Sequence, residues 1–194
     1  MFSKKILVHT CCAPCLSFIN KRLKDKFEIV VYFYNPNIQP FQEYKRRKIA
    51  LQEFCKLNSI ELIIDERDYE FEKWFDYIYF QGKNTFSELK KSKKIRCQSC
   101  YRMRLIETIK KAKALDIKNW TTTLLYSIYQ YHEYLKIFCE NIEKEDSRLK
   151  FYYEDFRKGW QEGFEIYKKT NLYRQNYCGC IFSENERFNR INNI

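Results

Sequence analysis

The chain has 194 residues, a formal net charge of +11 and a sequence pI of about 9.1. A content of 45% apolar and 18% aromatic residues excludes a disordered chain, and only four Gly and three Pro exclude fibrous and low-complexity classes. The length suits one domain over 1–194 with a polar tail at 185–194, and the charge favours a polyanionic partner such as RNA, although a Lys-biased genome explains the same excess.

Lys4 and Lys5 precede a partly apolar run to Ile19. His9, Thr10, three cysteines and Pro14 interrupt it, and no small-residue cleavage site follows, so it reads better as a buried strand and a functional loop than as a secretion signal. Lys5–Thr10 instead reads as a central strand, and Leu16–Lys24 as an amphipathic helix whose first turn suits Pro14. Phe27–Tyr34 is a second strand that stops at the turn Asn35-Pro36-Asn37. Glu43–Leu57 carries Tyr44, Ile49, Leu51 and Phe54 at helical spacing, and Glu61–Asp65 is a third strand. Helices follow over Tyr69–Phe80 and Gln98–Ala114, with Lys90–Lys94 as a solvated loop between them. Trp120–Leu125 reads as a fourth strand, Gln130–Ile142 as a helix, Phe151–Glu154 as a fifth strand and Gln161–Lys169 as a helix.

Strands alternating with helices specify an α/β fold: a doubly wound, mainly parallel sheet, Rossmann-like and similar to the adenine-nucleotide alpha-hydrolase (PP-loop) architecture. Ligands of such sheets sit beyond the carboxyl ends of the strands, so Cys11, Cys12, Cys15, Asn35, Asn37 and Ser127 should gather at one end. No stretch reaches the roughly 18 apolar residues a bilayer span requires. A cytoplasmic location without a membrane partner is therefore expected. In that reducing compartment, nine unevenly spaced cysteines point to metal or catalysis.

Seven of the nine fall in three groups: Cys11-Cys12-x-x-Cys15, Cys97-x-x-Cys100 at the start of a predicted helix, and Cys178-Gly179-Cys180. Thiolates are soft ligands for zinc or iron–sulfur centres, and a helix N-terminus favours the thiolate. Adjacent cysteines in one loop suit a polynuclear cluster better than a structural zinc site, for the set Cys11, Cys12, Cys97 and Cys100. A C-x-C pair closes a strained, labile disulfide on oxidation, and metal ligation by Cys178 and Cys180 is the competing role. Cys55 and Cys139 stand alone in amphipathic helices and read as core fillers. His9 reads as a hydrogen-bonded core histidine, while His132, Asp155 and Tyr173 are all open as proton donors. No G-x-x-x-x-G-K-[ST], G-x-G-x-x-G or Ser-Gly-Gly-x-Asp-Ser pattern occurs, which removes the usual phosphate cradles and the support for ATP-driven chemistry.

Six motifs in order carry a resemblance: H-T-C-C-A-P-C (9–15), Y-N-P-N-I-x-P-x-x-E-Y-x-x-R (34–47), R-C-x-x-C-Y (96–101), T-T-L-L-x-S (122–127), D-F-R-K-G (155–159) and Y-R-Q-N-Y-C-G-C-x-F-S (173–183). Over roughly residues 5–183 the chain resembles the QueH-type epoxyqueuosine reductases. Ser127-Ile128-Tyr129 stands where a Ser-Pro-Tyr-like element is common, and Cys15 occupies a position that varies between Cys and Asp.

The resemblance implies reductive deoxygenation of epoxyqueuosine in tRNA to queuosine, without cobalamin. It implies a 4Fe-4S cluster on Cys11, Cys12, Cys97 and Cys100 and a redox-active pair, Cys178 and Cys180, fed by an unidentified electron donor. Cys15 is then a further ligand, for example to an additional iron, or a proton donor. Tyr34, Asn35, Asn37, Tyr173 and Arg174 are expected to hold the unstacked anticodon base. Two other classes also accommodate the residues. A zinc-stabilised RNA-binding module explains charge and cysteines but needs no C-G-C pair, and a cytosolic thiol–disulfide oxidoreductase leaves the four clustered cysteines idle.

Overall fold

The computed structural model describes residues 4–189 apart from 66, 68 and 82–84. Five strands form one sheet in the order β3-β2-β1-β4-β5: β1 Lys5–His9, β2 Glu28–Phe33, β3 Glu61–Ile64, β4 Asn119–Thr122 and β5 Lys150–Phe151. Every neighbouring pair is parallel, and Val8 of β1 lies opposite both Val31 and Thr121. Strands covered on both faces read as continuous apolar runs, as Ile6, Leu7 and Val8 do, all fully buried. The doubly wound α/β fold expected from the alternation is the fold observed.

The helices flanking the sheet are α1 Ala13–Leu23, α2 Phe41–Leu57, α3 Phe71–Asp76, α4 Phe86–Lys91, α5 Lys93–Ala114, α6 His132–Glu145, α7 Trp160–Lys168 and α8 Ile181–Phe188. The tightest helix contact joins α1 to α7 and the short 3-10 turn Phe156–Gly159 that leads into it. A Cβ on Gly159 would lie 2.0 Å from Phe18 Cζ, so only glycine admits that ring. The Ser17 hydroxyl donates to the Gly163 carbonyl at 3.0 Å across the same seam.

Several boundaries differ from expectation. The helix expected over Tyr69–Phe80 is α3 followed by a π-helical turn at Tyr77–Gln81. Lys90–Lys94 is not a loop but the junction of two helices. Thr85 and Glu88 close a capping box on α4, and the Ser92 hydroxyl then accepts from Ile95 N to start α5. The fourth strand ends at Thr122 because its hydroxyl accepts from Leu124 N and turns the chain into a 3-10 helix at Thr123–Leu125. The fifth is only two residues long.

The polar tail at 185–194 is helical through Phe188, as part of α8, and residues 190–194 lie outside the described residues. Phe182 packs against Trp74 and Phe86, and Arg96 pairs with Glu186, which fixes a helix whose polar composition hides its single apolar edge. No helix among the described residues is long and apolar enough to cross a membrane.

Candidate active site at the carboxyl end of the sheet

β1 continues its ladder to Thr10, whose N–H donates to Tyr32 O at 2.9 Å, and the chain leaves the sheet at Cys11. Cys12 precedes α1 in extended backbone, with Pro14 in the first turn where no N–H is needed. Cys12 Sγ lies 3.0 Å from Cys15 Sγ and 3.6 Å from Cys11 Sγ, and the three sulfurs fall within 4.8 Å of one another. Cys11 N donates to Thr123 Oγ1 at 3.2 Å, and Gln175 Nε2 donates to Cys12 Sγ at 2.8 Å. Hydrogen bonds from Cys12 and Cys15 hold the Cys11 thiol well below its ordinary range against burial, with Arg104 and Thr123 assisting. Burial pushes Cys12 up, and the neighbouring thiols push Cys15 up.

Cys97 and Cys100 sit one turn apart on α5. Because Ser92 caps that helix at Lys93, the cysteines lie in its second and third turns rather than at its N-terminus. Burial, not a helix end, sets their thiols, and it raises both. Cys178, Cys100 and Cys180 raise Cys97 further, so these four sulfurs share one electrostatic neighbourhood. Cys178 is exposed and receives Gln130 Nε2 at 3.7 Å, whereas Cys180 is buried beside Ser183. The C-G-C segment is fastened by its backbone. Arg47 donates to Cys178 O at 2.8 Å and Tyr177 O at 2.9 Å, and Gln39 N donates to Gly179 O at 2.8 Å. Gly179 has φ +133°, and a Cβ there would sit 3.1 Å from Arg47 Nη1.

Arg104 lies between the two sulfur groups. The residue is 1% exposed, and its guanidinium donates to Asn35 Oδ1 at 2.7 Å and reaches Cys100 Sγ at 3.9 Å. Its Nε has no partner, and no carboxylate among the described residues pairs with it. The titratable groups that act on it most strongly are the sulfurs of Cys100, Cys11 and Cys178. An unpaired buried cation costs several kcal/mol, so this cavity is built to hold negative sulfur. Sequence reasoning missed Arg104, although Cys97, Cys100 and Arg104 recur on one helix face at i, i+3 and i+7. It also missed Gln130 and Gln175, and Arg47, which with Lys45 and Arg46 suits a phosphate contact or the wet face of a helix by sequence, is instead buried. Arg47 is a second buried cation, paired with Glu43 at 2.6 Å.

The remaining expected residues divide between wall and rim. Tyr34 is buried against Tyr32 under the Arg67 guanidinium. Asn35 links Thr10 O to Arg104. Asn37 is buried with its Oδ1 unpartnered. Tyr173 OH donates to Glu43, and the exposed Arg174 lies 4.7 Å over the Phe164 ring. His9 Nε2 donates to Tyr34 O and Nδ1 accepts from Thr122, and burial lowers it to about 3, so it is a neutral core histidine. His132 lies 3.5 Å from Asp155, which caps the turn before α7 and binds Arg157. Cys55 and Cys139 are buried in helices.

The family model of epoxyqueuosine reductase QueH matches residues 6–186. The chain belongs to that family. The QueH epoxyqueuosine reductase of Dehalococcoides mccartyi is 34% identical, with 97% of each chain covered. The QueH enzyme of Thermotoga maritima is also 34% identical, over 94% of this chain and 91% of its own. That of Helicobacter pylori is 35% identical over 92% of this chain but only 49% of its own. The QueH match therefore covers all three cysteine groups and Arg104.

Proposed function

We propose that this protein reduces epoxyqueuosine in tRNA to queuosine, with a 4Fe-4S cluster on Cys11, Cys12, Cys97 and Cys100 and with Cys178 and Cys180 as a dithiol relay. The observation that carries the cluster is Arg104, a buried cation without a carboxylate whose neighbours are sulfurs of both groups. The donor set fits. Cys97 and Cys100 stand outside the tight group of Cys11, Cys12 and Cys15, and a cluster, whose thiolates each bind a different iron, spans farther than one ion.

The reaction breaks two C–O bonds, forms one C=C bond and releases the oxygen as water, taking up two electrons and two protons. When bound, the cluster supplies electrons singly and a Lewis acid. The chain does the rest. Oxidation of the Cys178 and Cys180 thiols to a disulfide yields two electrons and two protons, and an external reductant reaches the exposed Cys178 first. Arg104 holds negative charge in the cavity, and Asn35 fixes its guanidinium plane against Thr10 O. Cys15 has its thiol raised and so keeps a proton beside Cys12, as a donor or a further ligand.

Iron, acid-labile sulfide and zinc per chain, measured after purification without oxygen, test the cluster. About four irons and four sulfides, lost together in Cys97→Ala, are expected. One zinc without sulfide would overturn the cluster and favour a zinc-stabilised RNA-binding module. Cys178→Ser should abolish steady-state turnover with a physiological reductant, and unchanged turnover would refute the relay.

A further inference from the structure

We propose that Tyr129, Trp160, Phe164 and Arg174 form a stacking platform for the unpaired nucleotides that flank the modified base, an inference that rests on the protein being an RNA-modifying reductase. The 3-10 turn after β4 delivers the chain into Tyr126–Tyr131, directly beside the cysteines. Two large side chains of this loop are left in water: Tyr129 is 65% exposed and Ile128 51%. The loop is nonetheless held in place. Tyr126 OH donates to Trp160 O at 2.9 Å, Tyr129 N donates to Ser127 Oγ at 3.3 Å, and Gln130 ties the loop to Cys178. A fixed loop that spends apolar surface on solvent, at the rim of the site, is a surface built for contact.

The aromatic row continues from the exposed Tyr129 onto the half-buried Trp160 and Phe164 of α7. Tyr126 stacks on Trp160 at 5.3 Å, and Tyr129 meets the same indole edge-on at 6.3 Å. Trp160, Phe164 and Lys168 recur at four-residue steps on one side of the helix, while Gly163 and Tyr167 are buried. The Arg174 guanidinium carbon lies 4.7 Å from the Phe164 ring centroid and extends the row. Lys158, Lys168 and Arg174 are exposed along it. Glu162 lies round the helix from the row and is taken up by Lys21, while Glu165 flanks Lys168 at i, i+3. Aromatic and guanidinium planes interleaved with exposed cations suit single-stranded RNA, because every base offers a π-face and every phosphate a charge.

The chain reports on this platform by its own fluorescence. Of its three tryptophans, Trp74 and Trp120 are buried at 1% and 0% exposure, and Trp160 alone is half-buried. Titration with a hairpin RNA bearing an anticodon-type loop should quench tryptophan emission in the wild type, and Trp160→Phe should lose the quench, its binding being followed by anisotropy. Tyr129→Ala should weaken hairpin binding roughly 5- to 100-fold and Tyr129→Phe should restore it. A fully paired duplex RNA should not distinguish the variants.

Equal hairpin affinity in Tyr129→Ala, or no quench at saturation, overturns the platform. So does a Tyr129→Ala variant that binds hairpin normally but is re-reduced more slowly by a protein electron donor, since the surface then belongs to that donor. Wild-type reduction of free epoxyqueuosine separates the two levels. If it fails together with hairpin binding, the RNA-modifying function falls as well. If it succeeds while Tyr129→Ala binds hairpin normally, only the platform falls.

Discussion

Arg104 gives the sharpest forecast from a single side chain. In protein without metal its buried charge lacks a carboxylate and its Nε lacks any partner, so an apolar residue of similar length relieves that charge at the cost of the hydrogen bond to Asn35. Arg104→Met should leave the metal-free protein at least as resistant to urea as the wild type, yet hold less iron after identical reconstitution. A large loss of urea resistance together with full iron content would show that Arg104 serves the fold and not the sulfurs. The sequence contained the position of this residue but not its isolation. A basic side chain two turns along from a C-x-x-C is ordinary, and only the packed structure shows that nothing acidic meets it. Asn35 and Tyr34 teach the converse. Their place after β2 was legible, but both are buried in the wall of the site, because Asn35 is spent on Thr10 O and Arg104.

At the level of elements, the seam between α1 and α7 is set by missing side chains. Gly159→Ala should cost about 1–3 kcal/mol by forcing Phe18 aside, and Phe18→Leu in the same chain should recover part of it, a coupling that a double-mutant cycle on urea midpoints will show.

The start of α6 gives a pH dependence. Burial and Arg157 lower His132 below its ordinary pKa, against the opposing pull of Asp155 and Glu133. The unfolded chain therefore takes up a proton near pH 6.5 that the folded chain resists, and stability falls as pH drops below that value. His9 acts in the same direction. The urea midpoint should fall between roughly pH 7.5 and 5.5, and fall less in His132→Gln. An equal fall in both proteins would clear His132 of this role.

Strands and long helices were legible because periodicity reports burial directly. The short helices α4 and α8 were not. Lysines crowd the end of one and polar residues fill the other, and what holds them is a capping box and contacts to Phe182 and Glu186 from distant chain.

For the whole molecule, a net charge of +11 predicts that affinity for tRNA drops steeply between about 50 and 200 mM salt. A flat response in anisotropy titrations would leave stacking as the main source of binding. The doubly wound topology was readable as a pattern, and it correctly sent the first, second and fourth loops to one end of the sheet. It could not foretell that the C-G-C segment, from the far end of the chain, would be roped to the β2–α2 loop by Arg47 and Gln39. That closure has a consequence in time. Ribosomes add about 5–20 residues per second, so Cys11 emerges on the order of 10–30 s before Cys180. During that interval the first three thiols are already synthesised while the C-G-C segment that packs over their end of the sheet is still to come. The site is thus closed last, by residues from the far end of the chain.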